Sequence, residues 1–309
     1  MTGVLLGGSA LGEALVGEAL QAADNAARLA GVSVREIGQI AELETVVELY
    51  DGIWRRTSGP LLTAELLRAL TKAGNYVVGA FDGDTLIGAC VGFFCAPADS
   101  SLHSHIAGVS GTAQRRNVGY AMKLHQRAWT LERGVASIGW TFDPLVARNA
   151  WFNIVKLAAS PVEYLPDFYG GMHDGINGAD GSDRLHMQWD LGAPQVAAAC
   201  AGDTHPGDVE ALLRAGAQVA LGISAAGAPL QHDIGELAAP TLLVAIPPDI
   251  ERLRQVDPAT ASLWRAAVRV TVGDLFAAGA RITGFDRSGW YIVQQDRTRP
   301  VAARTKGIQ

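Results

Sequence analysis

The run His103 to Lys123, H-S-H-I-A-G-V-S-G-T-A-Q-R-R-N-V-G-Y-A-M-K, holds the residue types and spacings most suited to chemistry. His103 and His105 lie two apart in a strand-like stretch and so share one strand face. An imidazole ordinarily titrates near neutrality, which suits a proton-transfer role. A tight, basic loop, Gln114 to Gly119, follows, and a helix is predicted from Tyr120. A strand that turns through such a loop into a helix aims backbone N–H groups at whatever sits above the helix start. Those donors and the positive end of the helix dipole favour a phosphate, and Arg115 and Arg116 add charge beside them. An ordinary strand-to-helix turn with two solvated arginines competes with this reading on shape alone. So do two partly buried, hydrogen-bonded strand histidines without a catalytic duty. Asp143 ends the next strand at Asp-Pro, either as a carboxylate near a cleft or as a cap for the helix after it.

Composition bounds what these residues can belong to. The chain has 309 residues, enough for one large domain or two modest ones, and 49% of them are hydrophobic. A net charge of -6 argues against general nucleic-acid binding, which needs a basic face. Cys90, Cys95 and Cys200 make no metal or disulfide pattern, so a reduced, cytoplasmic setting is the default. Glu13, Glu18 and Asp24 interrupt the Ala/Leu/Gly-rich start, which therefore reads as a helix over Leu11 to Leu29 rather than a leader or a membrane span.

The elements that must position the loop follow from periodicity and turn chemistry. Strands are predicted at Val32–Ile37, Tyr76–Phe81, Thr85–Phe94, His103–Val109, Ala136–Phe142, Val162–Leu165 and Arg184–Trp189. Helices are predicted at Ala41–Trp54, Thr63–Lys72, Tyr120–Arg133 and Arg148–Ala158. Asp82-Gly83-Asp84 is a hairpin turn. Phe168–Asp183 is glycine-rich and acidic, and reads as a mobile lid or as a solvated connection. Its Asp174, Asp180 and Asp183 lack calcium-loop spacing, so no metal is expected. After Leu191 the composition shifts to Ala, Gly and Pro. A short helix at Asp208–Arg214, a hairpin within Gln218–Gln231 and a strand at Thr241–Ile246 follow. Helices at Asp249–Gln255 and Ala259–Ala278 and a final hairpin around D-R-S-G complete a second α/β unit, in which Trp264-Arg265 and Gly289-Trp290-Tyr291 read as packing features.

The loop resembles motif A of the GNAT N-acyltransferases, Q/R-x-x-G-x-G/A, as Gln114-Arg115-Arg116-Asn117-Val118-Gly119. Asn117 stands where the first glycine belongs; Asn is the non-glycine residue that best tolerates left-handed backbone. The element order β-α-α-β-β-β-α-β-α-β-β is that of the same family, with the loop after the fourth strand. Asn149–Ala159, N-A-W-F-N-I-V-K-L-A-A, resembles its motif B. A particular group of predicted GNAT acyltransferases shares W-T-F-D-P-L-x-x-R-N-A (Trp140–Ala150), D-G-I-N-G-x-D-x-S-D-R (Asp174–Arg184) and a tail with I-P-P-D, W-R and G-W-Y, a similarity that covers most of residues 32–295.

The resemblance implies an α/β chain: a GNAT fold with a mixed, splayed central sheet plus a C-terminal α/β extension. The boundaries become 1–31 for an N-terminal helical extension, 32–191 for the acyl-CoA-binding domain and 192–309 for the C-terminal domain. It implies acetyl-CoA or another acyl-CoA as co-substrate and a small-molecule amine, such as an amino acid, as acceptor, with succinyl-CoA as an alternative donor. No nucleic acid, membrane or metal is implied, and a homodimer is left open. Backbone N–H groups of Arg116 to Ala121 (Arg116, Asn117, Val118, Gly119, Tyr120 and Ala121), with Gln114 and Arg115, would hold pyrophosphate. Val109 and Ser110 would pair with pantetheine, and Asn149 and Lys156 would stand near its thiol end. Relatives place a glutamate base on the fourth strand; counting back from the loop, His103 falls there, with His105 beside it and Asp143 as a second candidate. The family's usual tyrosine acid is replaced by Ile154, for which Tyr164 or Tyr169 could substitute. A GNAT-like module that binds acyl-CoA without catalysis is the other functional reading.

Overall fold

The computed structural model describes residues 10–55, 59–171 and 181–296. In chain order the elements are α1 (Ala10–Ala30), β1 (Ser33–Glu36), α2 (Ile40–Trp54), α3 (Ala64–Lys72), β2 (Tyr76–Asp82), β3 (Thr85–Phe94), β4 (Ser101–Val109), α4 (Val118–Glu132) and β5 (Ser137–Phe142). Next come α5 (Ala147–Ala150), a π-helical turn (Trp151–Lys156), β6 (Ser160–Leu165), β7 (Arg184–Asp190), α6 (Pro194–Cys200), α7 (Val209–Arg214), β8 (Gln218–Ile223) and β9 (Pro229–Gln231). The chain then forms β10 (Thr241–Ala245), α8 (Ile250–Val256), α9 (Pro258–Ala277), β11 (Arg281–Asp286) and β12 (Trp290–Gln294). The order expected of a GNAT fold is the order observed up to β7.

The chain divides into two compact units that interleave along the sequence. The first runs to Thr141 and includes Gln188–Asp203. In it β1, β2, β3 and β4 form an antiparallel succession, and β5 lies beside β4 in the parallel sense. Ile37, Leu43, Val46, Tyr50, Leu67, Val77 and Val91 make a core under α2 and α3, the latter capped at its start by the Thr63 side chain. Helix α4 is buried nearly all round. That is why it holds polar residues such as Gln126 and Arg127 inside: Arg127 is fully buried, donates to the Leu191 carbonyl and pairs with Glu18 of α1 at 2.8 Å. The N-terminal helix is thus docked.

The second unit comprises Phe142 onward to 171, 181–187 and the chain from Thr204. It holds β6, the first half of β7, and a five-stranded sheet of order β11-β12-β10-β8-β9. There β8 and β10 are parallel and the other pairs antiparallel. Trp264, Phe285 and Tyr291 are fully buried in this unit, and Asp257 caps α9 with Pro258 at its first position.

Three local features differ from expectation. Helix α4 begins at Val118, two residues early. Helix α6, in the Ala- and Pro-rich stretch after Leu191, carries the start signal of a proline at its first position. The helix expected over Arg148–Ala158 is one α turn, Ala147–Ala150, followed by π geometry, with Leu157 N–H bonding the Phe152 carbonyl at 3.1 Å. Among the described residues, no helix is long and apolar enough to cross a membrane.

Candidate functional site

The first unit brings together His103, His105, Val109, Ser110 and the whole Gln114–Ala121 run. Strands β4 and β5 pair at Ser101–Ser137, Leu102–Ile138 and His103–Gly139, and the ladder stops there. Beyond His103, among the described residues, the ladder between β4 and β5 does not continue, so the two strands part like a fork. On its other side β4 stays laddered to β3 as far as Val109, opposite Gly88, and Ser110 N–H bonds the Ile87 carbonyl at 2.8 Å.

The chain leaves the fork through a 3-10 turn at Gly111–Ala113 and enters the loop. Arg115 and Asn117 both have positive φ, 66° and 61°. Asn117 is in the left-handed conformation at the N-cap of α4, the geometry that a glycine would have supplied there. The first bond of α4 runs from Ala121 N–H to the Asn117 carbonyl at 3.0 Å. The N–H groups of Val118, Gly119 and Tyr120 therefore precede the intrahelical ladder. Gly119 has no conformational need to be glycine: a Cβ there would meet only Val109 Cγ2, at 3.9 Å.

Charge around the loop differs from the simple expectation. The Arg116 guanidinium pairs with Asp82 at 2.7 Å and donates to the carbonyls of Ala30 and Gly31 at 3.3 Å each. It closes the end of α1, so this side chain is engaged with Asp82 and the α1 C-terminus. Arg115 is exposed. The Tyr120 hydroxyl donates to the Ala199 carbonyl at 3.2 Å, and burial pushes its pKa up to about 12.

The two histidines stand together, as alternation predicts, but on a backbone that alternation does not foresee. Gly92 pairs with Ser104 and Val91 with Ile106, which leaves His105 as an extra residue, a β-bulge. Both imidazoles gather round Phe93, with ring centroids 5.1 Å away for His103 and 5.7 Å for His105, and 6.0 Å from each other. Partial loss of water lowers the His105 pKa from its ordinary value, so this ring is neutral at pH 7.

Asp143, Asn149 and Lys156 belong to the second unit. Asp143 is buried between two arginines, bonding Arg254 at 2.6 Å and Arg265 at 2.9 Å through both oxygens. Burial alone would raise its pKa; the two guanidinium groups overcome this and hold it at about 2. It also accepts from Leu145 N–H at 3.0 Å within the turn; the N-cap of α5 is Val146, with no side-chain cap, so Asp143 does not cap the helix as its alternative reading expected. Burial, and then Arg287, lower the pKa of Lys156, and Asn149 N–H bonds the Val146 carbonyl. The substitute acids fare differently. Tyr164 donates to Asp183 at 2.6 Å, and burial together with that carboxylate raises its pKa far above the ordinary value. Tyr169 is exposed. Of the expected lid, Asp174 and Asp180 lie outside the described residues; Asp183 is fully buried and bound to Arg269. Among the described residues no group of side chains could hold a metal ion.

Sequence reasoning missed one polar cluster at the fork. Lys123 of α4 donates to Ser104 Oγ at 2.8 Å and to Gln126 Oε1 at 3.0 Å, and lies 4.0 Å from the centroid of the Trp140 ring. The cluster has no sequence signal, because only the packed fold decides that a lysine at that turn is covered.

No family model matches the chain, and no curated protein matches it. Solved structures that resemble it include an N-acetyltransferase from Staphylococcus aureus Mu50, 12% identical, with a TM-score of 0.44 over 52% of this chain and 98% of that one. Another is a GNAT superfamily phosphinothricin acetyltransferase from Sinorhizobium meliloti in complex with AcCoA, 15% identical, with a TM-score of 0.43 over 51% of this chain and 87% of that one. A third is the PaiA N-acetyltransferase from Thermoplasma acidophilum in complex with coenzyme A, 16% identical, with a TM-score of 0.39 over 52% of this chain and 98% of that one.

Proposed function

We propose that the first unit binds an acyl-CoA and that the chain is an acyl-CoA-dependent N-acyltransferase acting on a small-molecule amine such as an amino acid. One observation carries the reading: a parallel strand pair that parts after His103–Gly139 leads along β4 to a loop whose left-handed Arg115 and Asn117 open the N-terminus of α4. An unpaired strand edge can take an extended amide-bearing chain as an added strand, and pantetheine is such a chain. A helix start with N–H groups ahead of its first intrahelical bond takes a phosphate. The two features lie in succession, as a pantetheine joined to a pyrophosphate requires. On this reading Val109 pairs with the pantetheine and the backbone from Arg116 to Tyr120 holds the pyrophosphate; Ser110 and Ala121 drop out, because the Ser110 N–H and carbonyl are bonded to Ile87 and Ala113 and the Ala121 N–H is bonded to the Asn117 carbonyl. Acetyl and succinyl donors both fit this reading.

Amide formation from a thioester needs an amine that has lost its proton. A free amine of pKa about 10 is almost wholly protonated at pH 7, and a placed base typically contributes about 10²–10⁴-fold. His103, with His105 beside it, is assigned that role. Asp143 is not, because a carboxylate held at about 2 by two arginines is too weak a base. His103→Ala is expected to lower turnover about 10²-fold or more and leave CoA affinity unchanged. Unmodified rates between pH 6 and 9 in that variant would remove His103 from the mechanism.

The non-catalytic alternative draws on Ile154, a buried aliphatic residue where the family carries its usual acid. Release of CoA thiol from acetyl-CoA and succinyl-CoA with a panel of amines separates the two. Tight CoA binding with no turnover on any acceptor would favour the binding module.

A further inference from the structure

Lys123 is an ammonium 6% exposed whose hydrogen bonds go to two neutral groups, Ser104 Oγ and Gln126 Oε1. Trp140 presents its ring face from β5. From β3 the Cys90 thiol closes the cluster, 3.9 Å from Ser104 Oγ and accepting from Gln126 Nε2 at 3.6 Å. Cys90 is the titratable group that faces the ammonium, and burial raises its pKa, so it is a neutral thiol at pH 7. Among the described residues, no carboxylate is a hydrogen-bond or ion-pair partner of Lys123. A cation taken out of water with no counter-ion is costly, and burial lowers the pKa of this one to about 8.

Its position gives that cost a use. Ser104 and Trp140, both touching the ammonium, each follow the last paired residues of β4 and β5, His103 and Gly139. The cation therefore lies where the strands part, which is where the acyl-CoA reading puts the thioester. Transfer of the acyl group makes one anion, the thiolate of CoA. A preorganised buried cation is worth most against charge that develops in the reaction.

We propose that Lys123, acting through the Ser104 hydroxyl, is the positioning residue that stabilises and protonates the departing thiolate of CoA. This rests on the acyl-CoA reading above. The acceptor nitrogen bonds to the carbonyl carbon, the C–S bond breaks, and its electron pair stays on sulfur. The Ser104 hydroxyl proton passes to sulfur while an Nζ proton passes to Ser104 Oγ. Lysine regains a proton from solvent, which receives the one lost by the acceptor amine. The sum is thioester plus amine giving amide plus CoA thiol.

The test needs no acceptor. The full chain is loaded with CoA, binding is verified by calorimetry, and the bound thiol is titrated in the ultraviolet, where thiolate absorbs and thiol does not. In the unmodified chain the bound thiol is expected to ionise roughly one pH unit or more below free CoA. Lys123→Met and Ser104→Ala are expected to return it toward the free value, with CoA affinity and melting temperature not lowered. Identical thiol titrations in the unmodified chain and in whichever of the two variants folds would overturn the inference. Failure of the unmodified chain to bind CoA would instead overturn the acyl-CoA reading, and the inference with it.

Discussion

Gly119→Asp is expected to remove CoA binding while leaving the fold as stable as before. The two effects have opposite signs for physical reasons. Within the protein, a Cβ at 119 meets nothing closer than Val109 Cγ2 at 3.9 Å. A carboxylate in the first turn of α4 faces the positive end of the helix dipole, an interaction worth about 0.3–1 kcal/mol in favour of the fold. Against a bound pyrophosphate the same carboxylate is repulsive. Like charges about 4 Å apart cost about 4 kcal/mol at an effective dielectric near 20, and about 1.4 kcal/mol is a factor of ten in affinity, so a loss of about 10²–10³-fold is expected. Calorimetry with CoA and a thermal melt read both quantities. Unchanged CoA affinity would remove the loop from the cofactor site. A large drop in melting temperature would show that glycine is needed there for the protein itself.

The second large effect lies in the other unit. Asp143→Asn is expected to destabilise by about 3–5 kcal/mol, because it leaves the buried Arg254 and Arg265 facing a neutral amide. Its side chain is 7% exposed, and those of the two arginines are 8% and 5% exposed. Burial opposes the charged form, and the arginines overcome it to give a folded pKa of about 2, below the unfolded value of about 3.9. The unfolded state therefore binds the proton first as pH falls. The stabilisation is complete above about pH 4 and is lost as pH descends toward 2. Urea denaturation followed by circular dichroism at pH 7 and pH 3 checks both claims. In Asp143→Asn this carboxylate's share of the acid sensitivity disappears. A variant as stable as the unmodified chain at pH 7 would show that the two arginines find other partners.

Much of the fold was legible because it is written locally. The Asp82-Gly83-Asp84 turn, the Thr63 helix start and the apolar runs of β2 and β3 are short-range signals, and they set the element order that places the loop after β4. Asn117 was legible for the same reason: its left-handed φ of 61° follows from which residues tolerate that region. What escaped depends on packing between distant segments. The bulge at His105 is a property of the register between β3 and β4, which no residue type announces. The pairing of Asp143 with Arg254 and Arg265 spans 111 and 122 residues, so from sequence Asp143 looked like a candidate base near a cleft. Lys123 looked like an ordinary helix lysine, because the burial of α4 on every side comes from α1 and the sheet together. The π geometry at Trp151–Lys156 has no compositional mark that separates it from an α turn.

The most direct test of the account is a crystal structure of the chain with CoA. The expected result has pyrophosphate oxygens about 3 Å from backbone nitrogens of the run Arg116 to Tyr120, with the pantetheine amides bonded to the β4 edge at Val109 inside the fork. CoA bound elsewhere, or an unoccupied fork at saturating CoA, would contradict it.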